Sequence, residues 1–123
     1  MIQVGIIGLG KIAFSYSTIS EQLVTHAQVI SADSDFQLTF GIDPNEATRR
    51  LFSEKFDVPT FATLEEAESK GSSDLYVISS PPITLSRNLE AVIHRKPSAI
   101  LVEKPIAANL DEAQGYRNLE NLT

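Results

Sequence analysis

Five short runs rich in Val, Ile, Leu and Phe, at residues 2–7, 38–43, 58–61, 75–79 and 99–103, punctuate the chain, and helical patterns lie between them. The runs are almost continuously apolar rather than alternating, as expected of strands covered on both faces. In 44–56, Ala47, Leu51 and Lys55 fall on one stripe behind Pro44, a residue suited to a first helical turn. Thr63 and Glu66 form a capping box ahead of a short helix that Gly71 closes. Leu85, Leu89, Val92 and Ile93 recur at helical spacing after Pro81-Pro82, and Pro97 stops that helix. Asn109 suits the cap of a last helix, with Asp111 and Glu112 in its first turn, where the helix dipole favours negative charge. Strands alternating with helices through short links specify a parallel sheet with right-handed crossovers. The expected fold class is therefore α/β, a doubly wound parallel sheet.

At 123 residues the chain is one domain's worth, read as a single unit over 1–123. Its formal net charge of −6 argues against nucleic acid as a partner, because a phosphate backbone needs a clustered basic face. There is no cysteine, which excludes disulfides and thiolate chemistry, and His26 and His94 lack the spacing of a metal motif. The apolar runs are too short to span a bilayer, and the N-terminus has no basic leader. The expectation is a soluble, cytoplasmic chain with a mature start and no membrane partner. Thr123 falls just after the fifth helical pattern, where a six-stranded version of the fold still needs a strand, so the chain reads as an N-terminal portion.

The first run ends in Gly8-Leu9-Gly10-Lys11-Ile12-Ala13, the spacing G-x-G-x-x-A of a dinucleotide fingerprint. Gly8 permits a tight turn off the strand, Gly10 admits a diphosphate against bare main chain, and the small Ala13 lets the following helix pack close. Free N–H groups at that helix start, with Ile12 within the turn, hold an anion even on an acidic protein, and Lys11 either adds positive charge for the phosphates or stands as a solvated surface lysine. Asp43 ends the second run and is placed to accept hydrogen bonds from the adenosine ribose, which favours NAD over NADP because a carboxylate repels a 2′-phosphate. It stands 30 positions after Ala13, against a usual interval of about 20 residues, and the irregular stretch 14–25 accounts for the excess. The competing reading is that Asp43 only begins the turn Asp43-Pro44-Asn45.

Two further motifs, Ser79-Ser80-Pro81-Pro82 and Glu103-Lys104-Pro105, follow the fourth and fifth runs, at the strand ends where open parallel sheets bind ligands. A glycine turn, an acid, a Ser-Pro-Pro turn and Glu-Lys-Pro, in this order, resemble the N-terminal domain of the glucose-fructose oxidoreductase / inositol dehydrogenase / rhizopine-catabolism (Gfo/Idh/MocA) family. The resemblance covers essentially the whole chain. It implies a Rossmann domain that binds NAD or NADP, ahead of a second domain holding a sugar, cyclitol or related polyol substrate. It implies that Ser80, Pro81 and Pro82 line the dinucleotide groove, that Glu103 lies near the nicotinamide end, and that Lys104 is the catalytic lysine assisting proton transfer. Chemistry agrees on Lys104: oxidising a secondary alcohol needs a proton acceptor beside the reacting carbon, and desolvation at a strand mouth lowers a lysine's pKa; the competing reading is a lysine that only reaches solvent from the strand end. The chain departs from the family pattern at Leu85, where relatives often carry a histidine.

His94 reads as a helix-end residue and His26 as packing or capping, while Arg49 and Arg50 read as a solvated helical face. Tyr16, in the extra stretch, is placed to reach a cleft. Two function classes follow: an NAD(P)-dependent oxidoreductase domain, or a non-catalytic module of the same fold that senses dinucleotide or sugar. Lys104 favours the enzyme, and a homo-oligomer is compatible with either.

Overall fold

The computed structural model describes residues 1–10, 26–70 and 73–102. In chain order the elements are β1 (Ile2–Ile7), α1 (His26–Ala32), β2 (Phe36–Ile42), α2 (Glu46–Phe56), β3 (Thr60–Phe61), α3 (Leu64–Glu68), β4 (Leu75–Ile78), α4 (Pro82–Ile93) and β5 (Ala99–Val102). All strand pairs are parallel and the strand order is β3-β2-β1-β4-β5. This is the doubly wound arrangement expected from the alternating runs, in which the order reverses between β1 and β4. The expected last helix after Asn109 and the closing Gly71 lie outside the described residues.

Each face of the sheet carries its own apolar layer. On one, Ile7, Phe40, Ile42, Tyr76 and Ile78 pack against Leu64 and Ala67 of α3 and Leu85, Leu89, Val92 and Ile93 of α4. On the other, Val4, Ile6, Leu38 and Val77 pack against Ala27 and Ile30 of α1 and Phe52 of α2. Leu38 and Phe40 would share a face in a regular strand. They do not, because the β1–β2 register shifts at Val4/Gly5 and leaves Thr39 opposite no residue. The Thr39 hydroxyl occupies this bulge, donating to the Val4 carbonyl at 2.9 Å. Phe40 is thereby turned across Gly5, where a Cβ would come within 2.3 Å of its ring.

The stripe expected for α2 is corrected by the structure. Ala47, Leu51 and Lys55 are exposed, and Phe52 is the residue that faces the sheet, completely buried against Gly41, with the Phe56 ring tilted against it at 4.9 Å between ring centroids. Both stripes have helical spacing, and the aromatic pair prevails because it removes far more apolar area from water. The helix also begins later than Pro44: Asn45 is its cap, accepting from the Thr48 N–H at 3.0 Å. For α3 the expected box is present, with Thr63 accepting from the Glu66 N–H, although the Glu66 carboxylate reaches back to the Ala62 N–H instead of that of Thr63. Leu85, the departure from the family pattern, is a core residue.

Candidate functional site

The site lies where β1 and β4, adjacent in the sheet, send their connections to opposite faces. β1 ends at Ile7 and the chain turns at Gly8 with φ of +92°, a conformation that glycine alone adopts without strain. Space imposes the same choice, because a Cβ on Gly8 would stand 2.6 Å from the Ser80 nitrogen. The Gly8 N–H donates to the Ile42 carbonyl at 2.7 Å, and the Ser79 N–H donates to the Ile7 carbonyl at 2.7 Å. The turn is thus wedged between the ends of β2 and β4. Two residues on, Gly10 is exposed, and among the described residues a Cβ there would meet no atom within 4 Å. One glycine fits a crowded backbone and the other leaves main chain uncovered.

Asp43, at the carboxyl end of β2, is held by two backbone donors. Its Oδ2 accepts from the Leu9 N–H at 2.9 Å, and its Oδ1 accepts from the Asn45 N–H at 2.9 Å. The second bond is the local turn the sequence offers as an alternative role; the first ties β2 to the glycine turn. A carboxylate has about four acceptor directions, so each oxygen keeps one for a further donor. Arg49 corrects the solvated-face reading: its Nη1 donates to the Asp43 carbonyl at 2.8 Å and to the Pro44 carbonyl at 3.0 Å. Arg50 is exposed as expected.

Beyond β4, Ser80 and Pro81 lead into α4, with Pro81 at the cap and Pro82 at the first helical position. The Ser80 Oγ accepts from the Asn88 Nδ2 at 2.9 Å, and the Thr84 hydroxyl donates to the Pro81 carbonyl at 3.2 Å. Together these segments bound a cleft of about 600 Å³, with Gly8 and Asp43 on one side, Thr63 and Glu65 past β3, and Pro81, Thr84, Arg87 and Asn88 opposite. That volume is in the range of small-molecule sites. Of the residues singled out in the sequence, Gly8, Asp43, Ser80 and Pro81 line this one cleft and Gly10 follows on the same turn. Lys11, Ile12, Tyr16, Glu103 and Lys104 lie outside the described residues. Thr84, Arg87 and Asn88 were not singled out; their signal is a polar i, i+3, i+4 set on the helix after the Ser-Pro-Pro turn.

The family model described as "Oxidoreductase family, NAD-binding Rossmann fold" matches residues 2–121. The chain belongs to the Gfo/Idh/MocA oxidoreductase family. Among solved structures of the same fold, a myo-inositol dehydrogenase from Corynebacterium glutamicum is 22% identical, with a TM-score of 0.80 over 99% of this chain and 34% of that one. GenD2 from gentamicin A biosynthesis, in complex with NAD, is 25% identical with a TM-score of 0.77, over 98% of this chain and 31% of its own. The WlbA dehydrogenase from Bordetella pertussis, in complex with NADH and UDP-GlcNAcA, is 19% identical with a TM-score of 0.80, over 98% of this chain and 32% of its own. No curated protein matches significantly. The Gfo/Idh/MocA chain described here therefore spans about a third of the length of these structures. Among the described residues, no helix is long and apolar enough to cross a membrane.

Proposed function

We propose that the cleft binds NAD and that the chain is the dinucleotide-binding domain of an oxidoreductase acting on a sugar, cyclitol or related polyol. The observation that carries this reading is the pairing of Gly8, wedged on Ser80 with a positive φ, with the Asp43 carboxylate tied to the same turn. Open main chain at Gly10 suits a diphosphate, and the two free acceptor directions of Asp43 suit the neighbouring 2′- and 3′-hydroxyls of a ribose. Ser80 and Pro81 line the opposing edge, and Pro82, next in the chain, is assigned to the same dinucleotide groove. Bound there, the nicotinamide supplies a two-electron acceptor for a hydride leaving a carbinol carbon. The protein's part is then to orient the cofactor and to take the hydroxyl proton, a role assigned to the Lys104 amine with Glu103 beside the nicotinamide end. The substrate would be held by a following domain of the kind that completes the longer relatives.

The same carboxylate sets cofactor preference. A 2′-phosphate would bring at least one negative charge against Asp43, so NADH should bind at least tenfold more tightly than NADPH. Titration of the chain with both reduced cofactors, followed by nicotinamide fluorescence, tests this directly. Absence of saturable NADH binding overturns the cofactor reading, and equal affinities overturn the assignment to NAD. A polyol panel assayed with a chain that includes the following domain separates an enzyme from a sensor.

A further inference from the structure

We infer that Asp43 and Arg49 act together as positioning residues that set the glycine turn, so that Asp43 supports diphosphate binding through Leu9 in addition to any direct contact with ribose. The inference rests on the NAD reading proposed above and goes beyond it in assigning a role that needs no contact with the cofactor. Leu9 stands between Gly8 and Gly10, the two residues whose backbone is freest to rotate. Its side chain is completely buried in the layer beneath α1 and α2. Its N–H joins no strand ladder and instead donates to Asp43 Oδ2 at 2.9 Å. That charge-assisted bond fixes the peptide plane between Gly8 and Leu9, the plane from which the main chain runs on to Gly10.

The carboxylate is itself held. The Asn45 N–H takes Oδ1, and the Arg49 guanidinium, about one helical turn into α2, reaches back to the carbonyls of Asp43 and Pro44. A continuous strap therefore runs from α2 through the β2 turn to the first crossover. Arg49 does not line the cleft, so apart from the through-space field of its charge, its effect on a bound dinucleotide passes through this main chain. One consequence is specific. Replacing Asp43 by a small neutral residue, the obvious way to admit a 2′-phosphate, removes the strap too, so affinity for NADH and NADPH falls together.

The test uses Asp43→Ala and Arg49→Met with two ligands: NADH, and an analogue whose adenosine ribose lacks both the 2′- and 3′-hydroxyls. If Asp43 acts through the turn, Asp43→Ala binds the dideoxy analogue about tenfold more weakly than the native chain does, although no ribose hydroxyl is there to lose. Arg49→Met shows a smaller loss on both ligands. Amide hydrogen exchange, measured without any ligand, should quicken at Leu9 in both variants while Val77, in the centre of the sheet, keeps its rate; general loosening of the fold would move both. If the melting curve shows that Asp43→Ala does not fold, Arg49→Met is read in its place. Native affinity for the analogue in the variants, with unchanged exchange at Leu9, overturns the strap and leaves the cofactor reading standing. Failure of the native chain to bind NADH overturns the cofactor reading and the binding role of the strap with it.

Discussion

The two walls of the cleft are built from different material. The wall at β1 and β2 is main chain: Gly8 pressed on the Ser79–Ser80 backbone, the Leu9 N–H on Asp43, the Asp43 and Pro44 carbonyls under Arg49. The wall at α4 is side chain: Thr84, Arg87 and Asn88 stand on one helix, with hydrogen bonds from Asn88 to the Ser80 Oγ and from Thr84 to the Pro81 carbonyl joining it to the segment after β4. Main-chain geometry is fixed by many simultaneous constraints and tolerates almost no added atom, whereas a helical side chain can be exchanged without moving its backbone. The difference teaches where a family can hold a shared chemical group and where its members can diverge. Diphosphate and ribose are common to every NAD, and they fall to the main-chain wall in the proposed binding mode; what lies across the α4 wall is open to variation.

The largest effect that could break this contrast is at Gly8. A methyl group there meets a non-glycine penalty at φ of +92° and an overlap with the Ser80 nitrogen at 2.6 Å, which is backbone and cannot swing away. Gly8→Ala should lose at least about 3 kcal/mol of stability, a large part of what a domain of this size possesses. Chemical denaturation measures it, and NADH binding should fall below detection. A variant that melts with the native protein would show that the wall yields. Gly10→Ala sharpens the comparison from the other side. Among the described residues the added Cβ finds nothing within 4 Å, and Gly10 is not in the left-handed region, so stability should stay within about 0.5 kcal/mol of native. The methyl instead occupies the approach to bare main chain, and NADH affinity should drop about tenfold. Equal loss of stability in the two variants would erase the distinction between the crowded glycine and the open one.

How much of this was legible in the chain follows the range of the interactions. The glycine turn, the Thr63 box, the proline start of α4 and the parallel, doubly wound class of the sheet could be read because each is written in adjacent residues or in the alternation of elements. The Ala47, Leu51 and Lys55 stripe is the wrong one because two stripes on α2 share helical spacing, and only the finished sheet decides that it covers Phe52. The Thr39 bulge leaves no local trace: its hydroxyl finds a carbonyl of β1, and its effect is to move Phe40 to the other face. Arg49 escaped for a similar reason. An arginine in the second turn of a helix looks solvated until the preceding turn folds its carbonyls back toward it. In the site, the residues on the main-chain wall were therefore visible, because glycine and aspartate announce backbone geometry. Those on the α4 wall were not, since Thr, Arg and Asn on a helix have no such signature.

The smallest expected effect lies on that second wall. Asn88 is half-buried and spends one amide hydrogen on the Ser80 Oγ at 2.9 Å, the only hydrogen bond given by its side chain among the described residues. Truncation in Asn88→Ala removes a neutral hydrogen bond with a net contribution of about 1 kcal/mol, and Ser80 can recover by turning its hydroxyl to water in the open cleft. NADH affinity should weaken about fivefold at most, as nicotinamide fluorescence would record, and the melting temperature should fall by a few degrees. The outcome that counts against the contrast is a loss matching Gly10→Ala. It would mean that Asn88 fixes the Ser80 hydroxyl for the ligand as firmly as Asp43 fixes the Leu9 amide, and that α4 is as much a part of the shared frame as the glycine turn.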